Sequence, residues 1–402
     1  MKKATRILTV QYSFLQLGYW VDYLLVSSFA AVLLMARGFK ASKIGYVTTV
    51  GSLIAIVLQT YLSSLADKSE RITLKQILGI LMAIALLAAV LVWAVPASHI
   101  STFIGMFTAF GVTCSISPLL TAFCLQYNYA GYGVDFGIAR SLGSFGYAAA
   151  GFVMGRITER FGANIILPIF CVVYVLMMFV LFSMRKASSE NNRVEEKAKP
   201  SGIVEFFLKY PRYDLFLISV MLIFFMQMVL GTYMIYFVKS YGGGEAQMGT
   251  TLSVAAFAEM PAVAFGMFFL KKFSAQKLLR FTAIGASFKF VSMIFITDIK
   301  LFIALQLVHF FFSGMYMVSS VYYANSIVDD ADSVKAQGLL AVGLTGVVGI
   351  AANIIGGYML EYVSPRSLAI VGAILALIGT ATMFIATTEI IPKVSRRSME
   401  KK

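Results

Sequence analysis

Long apolar runs separated by short polar spacers recur from one end of the chain to the other. A helix needs about 20 apolar residues to cross the hydrocarbon of a bilayer, and twelve runs meet that length. The first six are Ile7 to Ala36, Lys43 to Leu65, Leu74 to Val95, Thr102 to Tyr127, Phe136 to Ile157 and Ala163 to Met184. The second six are Tyr213 to Lys239, Gln247 to Leu270, Lys277 to Thr297, Leu301 to Ile327, Ala336 to Leu360 and Ser367 to Ala386. One spacer differs from the rest. Residues 185–200 read RKASSENNRVEEKAKP, polar, mixed in charge and aperiodic, as a flexible linker does. The pattern predicts an all-α membrane protein of twelve transmembrane helices: a six-helix bundle over residues 1–185, a linker over 186–211 and a second six-helix bundle over 212–402.

Composition agrees. Apolar residues make up 59% of the 402 and charged residues only 13%, against about 25% charged in a soluble domain. Such a chain cannot cover its surface with polar groups, whereas in a membrane lipid solvates its outer face. The net charge of +14 could point to nucleic acid, but its placement points elsewhere. Most Lys and Arg fall in alternate spacers, among them Lys2 to Arg6, Lys68 to Lys75, Arg185 to Arg212, Lys271 to Arg280 and Lys393 to Lys402. That alternation is the positive-inside pattern and puts both termini in the cytoplasm of a cell-membrane protein, with the bilayer as partner and no nucleic acid. The start, MKKATR before a long apolar run, reads as a retained first span and not as a signal peptide.

Enzymatic and metal-centred readings find no support. Cys114, Cys124 and Cys171 all sit inside apolar runs, and the two histidines are far apart, so neither a disulfide framework nor a metal spacing is present. A glycine-rich phosphate loop ending in GK[ST] is missing as well. No catalytic residue, metal or cofactor is expected. The two halves do echo each other: Lys43-Ile-Gly45 returns as Gln247-Met-Gly249, and GRITERF (Gly155 to Phe161) returns as GYMLEYV (Gly357 to Val363), each about two hundred residues on. Two six-span repeats around a midplane site describe a secondary transporter.

An ionisable side chain at membrane depth is costly and marks function by default. Five stand out: Asp22, Arg140, Glu259, Lys289 and His309. Asp22 lies mid-span beside Tyr19, Trp20 and Tyr23, and a cavity-facing role is expected for it. Arg140 is followed seven residues later by Tyr147 on the same helical face. A guanidinium for hydroxyls and an aromatic ring for an apolar sugar face can together hold a sugar. Gly143 and Gly146 let this helix approach a neighbour closely. Glu259, Lys289 and His309 fall on successive spans of the second half and are expected to form one buried network, with Glu259 paired to Lys289.

This pattern resembles the major facilitator superfamily, in particular the branch holding the lactose permease and related sugar, nucleoside and phenylpropionate proton symporters. The similarity runs over nearly the whole chain, and its most specific piece is FGIARSLGSFGYA, Phe136 to Ala148. The resemblance implies that Arg140 holds the sugar and that Tyr147 stands where a tryptophan stacks on it. It implies that Glu259, before Pro261, is the helix-eight carboxylate of binding and coupling, and that Lys289 and His309 match the arginine and histidine of helices nine and ten. Gln59 and Asp67 match the end of helix two and its turn. The chain departs from the branch at Ala122, where a carboxylate partner of Arg140 is usual, at Phe312, where the proton-carrying glutamate is usual, and at Gln306. Asp22 is expected to supply the carboxylate missing at Ala122.

The resulting expectation is a monomeric secondary transporter that moves a sugar-like small polar solute together with a proton by alternating access. Substrate contacts fall to Arg140, Tyr147, Asp22, Glu259 and His309, proton coupling to Glu259, Lys289 and His309, and gating or structure to Asp67, Gln59, Gly143 and Gly146. Efflux of amphipathic compounds on the same scaffold is the alternative within transport, and a membrane sensor that binds solute without moving it is the alternative outside it.

Overall fold

The computed structural model describes residues 2–68, 73–95, 98–185 and 201–388. Helices fill nearly all of it, in the order expected. Spans 1 to 6 are Thr5–Ala36, Ala41–Lys68, Leu74–Ala94, His99–Tyr129, Phe136–Phe161 and Ala163–Ser183. Spans 7 to 12 are Pro211–Ser240, Glu245–Ala264 continued by Gly266–Lys272, Ala275–Phe295, Ile299–Ile327, Asp330–Tyr362 and Pro365–Ala386. Among the described residues, ten helices are long and apolar enough to cross a membrane, or eleven with the bent span 8. Span 5 is long enough at 26 residues, but its glycines, serines and arginines dilute its hydropathy. It packs against spans 1 and 8.

Local chemistry ends each helix. Gly38 (φ 78°) and Gly242 (φ 81°) turn the chain after spans 1 and 7 in a left-handed conformation that a side chain would strain. The Thr73 hydroxyl accepts the Gln76 N–H while the Gln76 side chain accepts the Thr73 N–H, a capping box that starts span 3. The Asp135 carboxylate accepts the Ile138 N–H at the start of span 5.

The linker expected over 186–211 is described only from residue 201 on. Its residues 186–200 lie outside the described ones, and after Gly202 the chain already forms a short helix, Ile203–Lys209, that leads into span 7. Spans pack chiefly within residues up to 185 or beyond 201, and the two groups meet where span 1 touches 7, span 2 touches 11 and span 5 touches 8. The last two seams are related by the repeat read from the sequence, which equates span 2 with 8 and span 5 with 11.

Five of the described spans are irregular, among them span 7, kinked at Tyr233 (φ −113°, ψ 22°). Span 1 is interrupted at 27–29, and span 8 bends by 53° after Pro261, which has no N–H to give the preceding turn. Span 10 passes through a tighter 3-10 stretch, Gln306–Phe310, and span 11 through a wider π stretch, Val342–Val348. Freed backbone groups at membrane depth are tolerated where protein or a cavity surrounds them, and transporters place binding sites at such breaks.

Candidate functional site

Span 5 is brought close to span 1 by its small residues. A Cβ on Gly143 would stand 2.4 Å from the Trp20 ring, and one on Gly146 would stand 2.9 Å from Leu17. That proximity lays the Arg140 guanidinium over the Trp20 ring, 4.0 Å from its centroid, while Arg140 also donates to the Ser144 hydroxyl at 2.8 Å. Tyr147, one face along, meets Trp20 edge-on at 6.3 Å. Its hydroxyl lies 3.5 Å from that of Ser28, which donates in turn to the Gly231 carbonyl of span 7 at 3.1 Å. Arg140, Trp20 and Tyr147 thus form one wall on the first half.

The facing wall comes from spans 7 to 10. Glu259 lies against the restart of span 10 after its break, where a Cβ on Gly314 would meet the Glu259 carbonyl at 3.1 Å. Lys289 is fully buried; its ammonium donates to the Gln227 side chain at 3.1 Å and lies 3.3 and 3.4 Å from the two ring nitrogens of His309. His309 Nδ1 is 3.1 Å from the Gln306 carbonyl at the start of the 3-10 stretch. With Nδ1–H donating there, Nε2 is left to accept from Lys289. Phe312, which stands where a glutamate is usual in the resembling branch, is buried between Phe224 and Phe290 with His309 beside it.

The structure therefore assembles the expected carboxylate, amine and imidazole, with one correction. Glu259 and Lys289 make no ion pair within 4 Å among the described residues; Lys289 uses Gln227 and His309 instead. Glu259 stands where it interacts electrostatically with both Lys289 and Arg140, one cation from each half.

Asp22 is the larger correction. It is fully buried, and among the described residues neither carboxyl oxygen has a hydrogen-bond partner. Its electrostatic neighbours are Tyr174 and Cys171 of span 6, whereas the charged and phenolic neighbours of Arg140 are Glu259, Tyr19 and Tyr12. Helical phase explains this. Asp22 lies two positions from Trp20, about 200° around the helix, so the face that meets Arg140 leaves Asp22 on the opposite side. Asp22 is buried toward span 6 and is not among the neighbours of Arg140, so it does not replace the missing carboxylate.

The remaining expectations divide. Gln59 donates to the Cys114 carbonyl at 2.9 Å and ties span 2 to span 4. The Asp67 side chain lies outside the described residues. Among the described residues no group of three His, Cys, Asp or Glu could hold a metal ion. Sequence reasoning gave no role to Gln227 or Ser144, since uncharged polar residues are common in such spans. It also passed over Glu361, although that residue sits inside the quoted repeat GYMLEYV.

Glu361 belongs to the seam between the halves. There the N–H and hydroxyl of Ser42 donate to it at 3.1 and 2.5 Å, and Lys40 lies 3.6 Å away. Beside them Tyr46 and Tyr358 share a hydrogen bond of 2.6 Å, and Tyr233 donates to the carbonyls of Asn353 and Ala41. The repeat glycines pack backbone on backbone: a Cβ on Gly45 would meet the Asn353 carbonyl at 2.3 Å, and one on Gly249 the Gly151 carbonyl at 2.1 Å. The ion pair and several of the hydrogen bonds between the halves among the described residues come from this end, which is remote from the termini, while Ser28 to Gly231 and Ser253 to Ala148 bond deeper in the spans. The molecule is closed there.

Comparison with known proteins fits this architecture. The model of the MFS_1 like family matches residues 13–371. The uncharacterized transporter YwbF of Bacillus subtilis (strain 168) is 20% identical over 352 residues, covering 87% of this chain and 86% of that protein. A mutant of the nucleoside transporter NupG superposes with a TM-score of 0.80 at 16% identity, over 96% of this chain and 100% of that one. A bacterial homologue of the iron transporter ferroportin, in its inward-facing state, gives 0.69 at 11% identity over 97% and 100%. A bacterial homologue of the human lysosomal transporter Spinster gives 0.66 at 12% identity over 96% of each chain. With its twelve-helix fold, its paired halves and a family match over most of its length, the chain belongs to the MFS_1 like family and is a multi-pass membrane transporter of the major facilitator type, not an enzyme.

Proposed function

We propose that this transporter is a proton-coupled symporter of a small polar solute, a sugar, glycoside or nucleoside, working by alternating access. One observation carries the reading: the Glu259 carboxylate of the second half is within electrostatic reach of Arg140 of the first half and of Lys289 of its own. Arg140 and Trp20 offer hydrogen-bond donors and an aromatic face, the two contacts a ring with hydroxyls requires, and Tyr147 and His309 complete the enclosure. Because Arg140 moves with the first half, rocking the halves changes how many cations face the Glu259 carboxylate. Nearby charge sets proton affinity, so conformation and proton binding are linked through one residue.

Lys289 and His309 form the second part of the coupling machinery in this reading. An amine and an imidazole at hydrogen-bond distance hold one proton between them more easily than two, since two like charges side by side are unfavourable. Alternate basic spacers favour a cytoplasmic location for both termini. The closed end then faces outward and the molecule is inward-facing. A membrane potential supplies about 2.3 kcal/mol per charge per 100 mV, enough for roughly fifty-fold accumulation at about 1.4 kcal/mol per decade.

The test is a panel of labelled sugars, nucleosides and aromatic acids, offered to proteoliposomes with an imposed proton gradient. Accumulation of a hydroxylated ring compound that a protonophore abolishes is the expected result. Accumulation that ignores the proton gradient, or that selects only lipophilic compounds, would remove this reading.

A further inference from the structure

The helix Ile203–Lys209 precedes span 7 and is outside the transport site. One side of it is thoroughly anchored. Phe206 is buried against Tyr210 and Tyr213, with ring centroids 4.9 and 5.0 Å apart. Both ends of the segment are tied to the turn between spans 10 and 11. At its start, the Ser201 N–H and hydroxyl donate to the buried Asp332 carboxylate at 2.9 and 2.7 Å. At its end, the Tyr210 hydroxyl donates to Asp329 and Asp332 at 2.9 and 3.0 Å. Lys209 pairs with the same two carboxylates at 2.7 and 3.6 Å. The Lys209 ammonium holds the Asp329 carboxyl below the usual carboxylate range.

The opposite side is bare. Ile203, Val204 and Leu208 are 65%, 73% and 81% exposed. Val204 and Leu208 are one helical turn apart and share a face, about 200° from Phe206. Clustered exposed apolar residues mark an interaction surface, and position identifies the partner. The segment runs directly into span 7, whose exposed Leu215 and Ile218 form a surface that lipid covers. A short helix held at the end of a span, apolar on its outer face and polar at its ends, matches an element lying in the headgroup and acyl boundary of a bilayer.

We propose that residues 201–210 form a lipid-bound strap: Val204 and Leu208, with Ile203, insert into the membrane interface, while Asp329 and Asp332 fasten the strap to the turn between spans 10 and 11. Lipid held by the strap then bears on the end of spans 7, 10 and 11 that is remote from the closed seam. The inference does not depend on which solute is carried.

The full chain, with Cys114, Cys124 and Cys171 replaced by serine, carries a nitroxide on a single cysteine at position 204, 208 or 205 and is reconstituted into phosphatidylcholine and phosphatidylglycerol vesicles. Collision with oxygen, which concentrates in lipid, is compared with collision with a water-soluble nickel chelate. At least threefold preference for oxygen is expected at 204 and at 208, and preference for nickel at 205. Preference for nickel at 204 and 208 would overturn the proposal, as would shielding from both probes, which would mean that protein covers the face. In a second arm, Asp332→Asn is expected to release the strap and sharpen the spectrum of the label at 204. An unchanged spectrum in Asp332→Asn and also in Asp329→Asn would overturn the fastening.

Discussion

Gly249 of span 8 lies against Gly155 of span 5 so closely that a Cβ on Gly249 would stand 2.9 Å from the Gly155 Cα. The equivalent glycines of the other seam, Gly45 and Gly357, pack in the same way against residues of spans 11 and 2. Backbone-to-backbone closure of this kind leaves no room for a side chain. A bulky residue has to open it.

Gly249→Leu is accordingly expected to shift the molecule toward the state open at this end. Overpacking costs about 1–3 kcal/mol, equivalent to roughly a five- to 150-fold change in the population ratio. Distances between spin labels placed on the two halves at this end measure the shift. A distance distribution like that of the parent would mean that the glycines do not set the closed state.

Glu361 is predicted to act with them. Its carboxylate holds the first turn of span 2 from the other half through Ser42 and Lys40, a favourable place for negative charge beside a helix N-terminus. Glu361→Gln keeps an acceptor but removes the charge, and should weaken closure. A cysteine at Ala41, buried in the closed seam, should then react faster with a membrane-impermeant thiol reagent. Equal labelling rates would remove Glu361 from the gate.

Arg140→Lys keeps the charge and loses the planar fork and the flat stack on Trp20. The account expects solute affinity to fall by about tenfold or more, since a cation–aromatic contact is worth about 0.5–2 kcal/mol and a bidentate contact adds to it. Binding measured by calorimetry on purified protein checks this. Affinity unchanged in the lysine variant would make Arg140 a structural residue.

Asp22 and Arg140 are expected to behave independently. They share no partner, so the effects of Asp22→Asn and Arg140→Gln on thermal stability should add within about 0.5 kcal/mol. A coupling energy well above that would place them in contact after all.

The spans and halves were legible because membrane crossing imposes a length and an apolar composition that show in one dimension. The seam glycines Gly45, Gly155, Gly249 and Gly357 lie in the repeat fragments, but nothing in the sequence signals that they meet, which only packing shows. Arg140, Glu259, Lys289 and His309 could be singled out because ionisable groups are rare at that depth. Their partners could not. Whether Lys289 turns to Glu259 or to Gln227 and His309 depends on rotamers and on the 3-10 stretch of span 10, which carries no proline to announce it. Asp22 shows the other limit: a mid-span acid is conspicuous in sequence, but two positions of helical phase decide whether it faces a cavity or a neighbouring helix.

The central claim is that Glu259 links the halves and carries the proton. Glu259→Gln imitates the protonated side chain. Counterflow and gradient-driven uptake of the same labelled solute, measured side by side in proteoliposomes bearing this variant, test the claim most directly. The account predicts that exchange persists while accumulation against a gradient falls to the level of protein-free vesicles. Accumulation as high as that of the parent under an inward proton gradient would contradict it.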